Sequence, residues 1–123
     1  MAILLFILIR LLPGANDLPE IKGYDFSSKK IAQHKLPSEL REASGLSFTK
    51  DGRLLCHNDE QGAVYEVDYH TGKILSRFYL GRFLIYRDDL EGIATKGDTI
   101  FMINSSGTIL RFLPGKEGAK VPG

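Results

Sequence analysis

Five side chains that carry oxygen ligands, Glu42, Asp59, Asp89, Glu91 and Asn104, sit at like places in two look-alike stretches of this 123-residue chain. Carboxylate and amide oxygens gathered at one rim are what a hard cation such as Ca²⁺ takes, usually about six to eight of them. Ser44, His57, Asn58 and Ser105 lie beside them in sequence and are expected at the same rim. Glu91 is the leading ligand candidate, because an acidic residue directly before a strand glycine has no turn to cap. The competing reading is that the glycines carry turn geometry while Asp59, Asp89 and Asn104 hydrogen-bond turn backbones.

His57 two residues before Asp59 also suggests hydrolase chemistry, with an imidazole base oriented by a carboxylate. A nucleophile in a recognisable setting is missing. There is no Gly-x-Ser-x-Gly, and Ser44-Gly45 and Ser105-Ser106-Gly107 read as turn and strand-edge serines. His34 and His70 read as solvent-side, no His and Cys pair has zinc-ligand spacing, and the dispersed Gly45, Gly52 and Gly62 make no phosphate loop. Cys56 is the only cysteine, which excludes an internal disulfide, and its apolar neighbours make it a small buried residue.

The elements that must position these groups come from an internal repeat. One copy runs from Glu42-Ala-Ser-Gly-Leu46 through a Lys50-Asp-Gly52 turn and an apolar run to Asn58 and Gly62. The other runs from Asp89-Leu-Glu-Gly-Ile93 through Lys96-Gly-Asp98 to Asn104 and Gly107. Gly45 and Gly92 are 47 residues apart, and Asn58 and Asn104 are 46 apart. A period of roughly 40–50 residues filled with short strands reads as propeller blades, whereas helical repeats would show an apolar period of about 3.6.

The first copy predicts strands over 43–49, 53–57, 63–68 and 73–80, joined by Asp-Gly and Gly-ended turns. Val64, Val67, Ile74, Phe78 and Leu80 supply its apolar faces, with Glu66, Asp68, Ser76 and Arg77 toward solvent. The second copy predicts strands over 91–95, 99–104 and 108–113, after a connection over 81–88. Its outer strand is expected to be missing, since the chain reaches Pro114-Gly-Lys-Glu-Gly118 and stops at Gly123. The fold class is therefore all-β, a partial β-propeller of about two four-stranded antiparallel units: blade one over 41–81 and an incomplete blade two over 82–123. Such a chain is expected to be a truncated product, or to need further blades or a partner to close the ring.

Ahead of the repeats, residues 16–40 read as a linker with clasp strands at 21–26 and 31–36. Residues 1–15 begin with the apolar run Ala2–Ile9, extended by Leu11 and Leu12. That length suits a secretory signal or short anchor and falls short of the roughly 20 residues that span a bilayer. Membrane association is expected through residues 1–12, and no lipid-anchor cysteine follows them. A net charge of +1 without a basic run gives no sign of nucleic acid as a partner.

Several ordered motifs together carry a family resemblance: Leu36-Pro-Ser-Glu-Leu-Arg-Glu-Ala-Ser-Gly-Leu46, His57-Asn-Asp-Glu-Gln-Gly62, Tyr65-Glu-Val-Asp-Tyr-His-Thr-Gly-Lys73, Asp88-Asp-Leu-Glu-Gly-Ile-Ala94 and Ser106-Gly-Thr-Ile-Leu-Arg-Phe112. Over about Tyr24 to Gly118 the chain resembles the opening blades of the SdiA-regulated β-propeller family, a bacterial group also called YjiK-like or calcium-regulated. Gluconolactonase-like and phytase-associated esterase-like propellers use similar Glu-Gly-Ile-Ala starts. The resemblance implies a six-bladed propeller in the periplasm or at the cell envelope, with a tie to calcium and no well-defined enzymatic activity. Its domains are about twice as long as this chain. Two functions follow as expectations: an envelope binding or signalling propeller, or a metal-dependent lactonase or esterase in which a channel Ca²⁺ polarises a substrate carbonyl. A third is that the chain has no activity of its own.

Overall fold

Turn chemistry lays out the first sheet. In the turn after β1 (Ala43–Phe48), Gly52 takes φ 83°, a region open to glycine, and its N–H donates to the Thr49 carbonyl at 3.0 Å. The Thr49 hydroxyl oxygen accepts the Arg53 N–H at 3.0 Å and closes the hairpin to β2 (Leu54–Asn58). Between β3 (Ala63–Val67) and β4 (Ile74–Leu80), Asp68 does the equivalent work, accepting from the His70 N–H at 2.9 Å and the Thr71 hydroxyl at 2.7 Å. These bonds also hold the Asp68 carboxyl below the usual carboxylate range. His34 and His70 are solvent-exposed, as their surroundings in the sequence suggest.

The structure, a computed structural model, describes residues 32–123, of which Gln33–Gly123 form one compact unit. The apolar run at the N-terminus and the strand expected over 21–26 lie outside the described residues. Among the described residues no helix is long and apolar enough to cross a membrane. Residues 32–37 are irregular, so the strand expected over 31–36 does not form in its described part. Gln33, His34 and Lys35 offer no apolar face to hold one, and Pro37 lacks the N–H a pairing would need. A 3₁₀ turn, Ser38–Leu40, follows and buries Leu40.

The architecture is all-β. The second sheet is built from β5 (Leu90–Lys96), β6 (Thr99–Asn104) and β7 (Ile109–Phe112), in the antiparallel order β5-β6-β7. The last strand, β8 (Lys120–Val121), does not extend it. It crosses to the first sheet, whose order is β1-β2-β3-β4-β8, and pairs parallel with β4. Three bonds secure the crossing: Gly118 N–H to the Arg77 carbonyl at 2.8 Å, Tyr79 N–H to Ala119 at 2.8 Å and Gly81 N–H to Val121 at 2.7 Å. The free backbone edge of β4 is thereby covered, which removes a template for strand pairing with other chains.

The two sheets repeat one device. The β1–β2 register shifts between Ala43 and Gly45, and the β5–β6 register shifts between Leu90 and Gly92. A bulge directly before each repeat glycine re-aims the strand start, a common use of such irregularities. The sheets lie face to face, and Leu55, Val64, Phe78 and Leu80 of the first pack with Ile100, Met102 and Phe112 of the second. On the far side of the first sheet, Cys56, Ala63, Tyr65 and Val67 form a smaller cluster under Leu36 and Leu40. β3 is therefore buried on both faces, with Val64 and Val67 on opposite sides. The half-solvated alternation expected from sequence does not hold there, and Glu66, Ser76 and Arg77 are half-buried.

Gly45 marks the tightest point of the seam between sheets. A Cβ there would lie 2.8 Å from His57 Nε2 and 3.1 Å from Ile93 Cγ2. Its repeat counterpart Gly92 would meet only Ile103 Cγ2, at 3.4 Å. Gly45→Ala is expected to lower unfolding free energy by about 1–3 kcal/mol through overpacking. Gly92→Ala should stay within about 0.5 kcal/mol. Urea unfolding of the two variants beside the parent checks the difference.

Candidate functional site

The bulges and turns bring four chain segments to one corner of the molecule. Ala43 pairs with Asn58 and Leu90 pairs with Asn104, so the starts of β1 and β5 lie beside the ends of β2 and β6. Backbone bonds tie the two corners. The Leu90 N–H donates to the Asp59 carbonyl at 2.8 Å, and the Ser105 N–H to the Asp89 carbonyl at 2.9 Å. Glu42, Asp89, Glu91 and Ser105 are exposed at this end, while Ser44, Asn58 and Asp59 are half-buried.

Individual side chains meet different fates. The Asn58 side-chain oxygen accepts the Gln61 N–H at 3.2 Å, and the Ser44 hydroxyl donates to the Glu42 carbonyl at 3.3 Å. Asn104 is buried and fully engaged. Its amide nitrogen donates to Asp88 Oδ2 at 2.7 Å, and its oxygen accepts the Thr108 N–H at 2.7 Å and the Ser106 hydroxyl at 2.8 Å. The turn over 104–108 consumes the amide that the sequence placed among the ligands.

Asp88, which the sequence marks only as the start of a motif and not as a ligand, organises this half of the corner. Its carboxylate accepts the Tyr86 hydroxyl at 2.6 Å, the Asn104 amide and the Asp89 N–H at 2.9 Å. The Tyr86 hydroxyl first, then Asn104, hold the Asp88 carboxyl below its ordinary range, and the bond to Asp88 in turn pushes the Tyr86 phenol up. The Asp88-Asp89 doublet before an apolar strand was the available signal, since the first of two such residues is placed to cap the entry.

His57 is the feature that stands apart. The ring is wholly buried, and Nδ1 lies 2.8 Å from the Asn58 carbonyl. A carbonyl only accepts, so Nδ1 carries the proton and the neutral ring presents a bare lone pair at Nε2. Among the described residues Nε2 has no partner, and neither does the buried Oδ1 of Asp59. Burial pushes the imidazole pKa down, opposed by the Asn58 carbonyl and by the Asp59 and Glu91 charges. Nε2 faces Gly45 in the seam while Asp59 lies at the corner, and each is an acceptor that a hydrogen-bond donor would satisfy.

The hydroxyl a hydrolase would need is not bonded to this ring, since Ser44 bonds the Glu42 carbonyl instead. Cys56 is buried and free, and burial pushes its thiol up to about 11, which leaves it protonated and inert. Among the described residues no three His, Cys, Asp or Glu side chains converge closely enough to hold a metal ion. No protein-family model, curated protein or solved structure matches the chain.

The sign of the His57 linkage follows from its lowered pKa. Unfolded chains bind the proton first as pH falls, so the contribution of neutral His57 is complete above the unfolded value of about 6.5. It is lost as pH drops from there through the lower folded value. Melting temperature is expected to fall between about pH 7 and pH 5, and the slope should shrink in His57→Gln. Thermal melts by circular dichroism across that range check it. Asn104→Ala is expected to cost about 1–3 kcal/mol, because the Thr108 N–H and Asp88 lose their partner, and denaturant titration reads it directly.

Proposed function

We propose that the chain works as a β-propeller-type binding and signalling unit of the cell envelope, with Ca²⁺ drawn to the corner where β1, β2, β5 and β6 meet. One observation carries the reading: two sheets share the same bulge ahead of the same glycine and meet through their first strands. Stacking of like sheets, the front face of one on the back face of the next, is how propeller blades bury apolar surface that a single sheet cannot bury alone. The ordered motifs that resemble the SdiA-regulated family support the same reading and supply the envelope location.

The donor set at the corner makes a partial calcium shell. Asp59, with a buried carboxylate oxygen lacking a partner, and Glu91, exposed beside it, are the hard oxygen ligands this chain would offer. Asp89 and Glu42 add negative charge at the rim, while Asn104 is held by its turn and contributes none of its amide oxygen. The remaining ligands of a shell of roughly six to eight would come from backbone carbonyls, water or a partner surface. A bound Ca²⁺ would fix the strand starts and neutralise their carboxylates.

Calorimetric titration with Ca²⁺, with Mg²⁺ as the control, tests the proposal together with melting temperature. Heat of binding and a raised melting temperature are expected, since an ion at 100 times its dissociation constant adds about 2.7 kcal/mol of stability. Asp59→Asn and Glu91→Gln should each abolish both signals. No heat and no shift in the parent protein would remove calcium from the reading.

A further inference from the structure

We infer that this chain associates head to tail with a second copy of itself, the outward face of β5-β6-β7 in one copy receiving the β1 strip of the next. The inference rests on the repeat equivalence used above, but not on calcium or on the envelope location. The pairing registers set the equivalence. Gly45 faces His57 as Gly92 faces Ile103, and His57 faces Val64 as Ile103 faces Ile109. The covered face of the first sheet therefore has its counterpart in the uncovered face of the second.

The contacts of the internal seam show what the uncovered face is shaped to take. Inside the chain Ile93 lies on Gly45, 3.1 Å from where a Cβ would be. The counterpart of Ile93 is Leu46, which is 60% exposed. The counterpart of Gly45 is Gly92, where a side chain would meet nothing but Ile103. The seam also holds a hydroxyl pair, Ser47 Oγ to Thr95 Oγ1 at 3.0 Å. Its counterparts, Ala94 and Phe48, are both apolar and both exposed, Phe48 by 57%. The glycine contact and the hydroxyl pair of the seam thus each have an unfilled match of compatible chemistry, split between the two ends of the molecule.

The receiving surface is a groove of about 340 Å³ over Gly92, Ala94, Phe101, Ile103 and Ile109. Ile109 is 65% exposed there, an uncovered apolar patch of the kind that marks an interaction surface. On the donating side, Leu36 and Leu40 already cover the β2–β4 part of the first sheet, which confines the joint to the β1 strip. The two joined surfaces differ, so the contact is heterologous, and a joined pair keeps one free surface of each kind, the strip of one copy and the groove of the other. Successive copies then close into a ring or extend as a filament, according to the rotation per step.

Sedimentation velocity on the full chain over a wide concentration range tests this. The parent protein is expected to rise above the mass of one chain as concentration increases. Leu46→Lys and Ile103→Lys, both at exposed positions, should each weaken association by at least roughly tenfold by placing a charge in an apolar joint. Mixing the two variants should restore a one-to-one dimer and nothing larger, because Leu46→Lys keeps the groove and Ile103→Lys keeps the strip. Phe48→Lys and Ile109→Lys form a second pair should either first variant lose its circular dichroism spectrum.

A parent protein that stays monomeric throughout overturns the inference, including the case in which residues 1–31 of the same chain fill the groove. Association that survives in Leu46→Lys alone overturns it in favour of groove-to-groove pairing, and association that survives in both variants assigns it to the apolar N-terminus. The calcium titration can fail without touching any of these outcomes.

Discussion

The structure depends on how closely β1 and β5 approach each other. Neither sheet can bury its apolar residues alone, and the first strands can come together only because Gly45 has no side chain. Ile93 occupies the space a Cβ would need, and the His57 ring fills the other side of the same gap. From that contact the seam widens outward into the cluster of Leu55, Val64, Phe78 and Leu80 against Ile100, Met102 and Phe112. Burial of this kind is the main favourable term in folding, at about 25 cal/mol for each Å² of apolar surface removed from water. The bulges matter for the same reason, because they set the angle at which the strand starts leave the seam.

The repeat is regular in backbone and irregular in chemistry, and the irregularity localises the candidate site. Where the second unit has Ile103 and Ser105, the first has His57 and Asp59. Around the second unit the polar groups satisfy one another through Asp88, Tyr86 and Asn104. Around the first, a lone pair on His57 and an oxygen of Asp59 are buried without donors among the described residues. Buried acceptors left unmatched cost free energy, so they call for an explanation that a closed turn network does not. A hydrogen-bond donor would satisfy acceptors in the first unit that the second unit's turn network already satisfies.

Much of the strand layout was legible because its punctuation is local. Asp51-Gly52, Thr71-Gly72 and Gly97-Asp98 each specify a turn by backbone conformation and side-chain bonding within a few residues, and the strands fall between them. The all-β class follows from the same signals, as does the placement of the β1 and β5 starts beside the ends of β2 and β6. What was not legible depends on contacts distant in sequence. Nothing near Lys120 announces a parallel partner forty residues back at Tyr79, and the alternation rule cannot tell that β3 is covered on both sides. His57 looked like a rim residue until its register against Gly45 placed the ring in the seam. A glycine directly opposite a bulky polar residue was the one hint, and it becomes readable only after the bulge is known.

Edges and faces are treated differently by this chain, and the difference bears on what the molecule does. The hydrogen-bonding edge of β4 is closed by β8, with Glu117 accepting the Arg77 N–H at 2.7 Å beside it. Uncontrolled strand addition is thus blocked at the outer side of the first sheet. The faces are not closed in the same way: the second sheet leaves Ile103 and Ile109 uncovered, and the first leaves Leu46 and Phe48. Edge pairing is indifferent to side chains, whereas face packing depends on the shape of each residue. Covering the β4 edge while leaving complementary faces open favours, on that side of the molecule, the selective kind of contact over the unselective one. Since those faces repeat the surfaces that already meet at the seam, the forces that fold the two sheets together are the same forces available for adding a third.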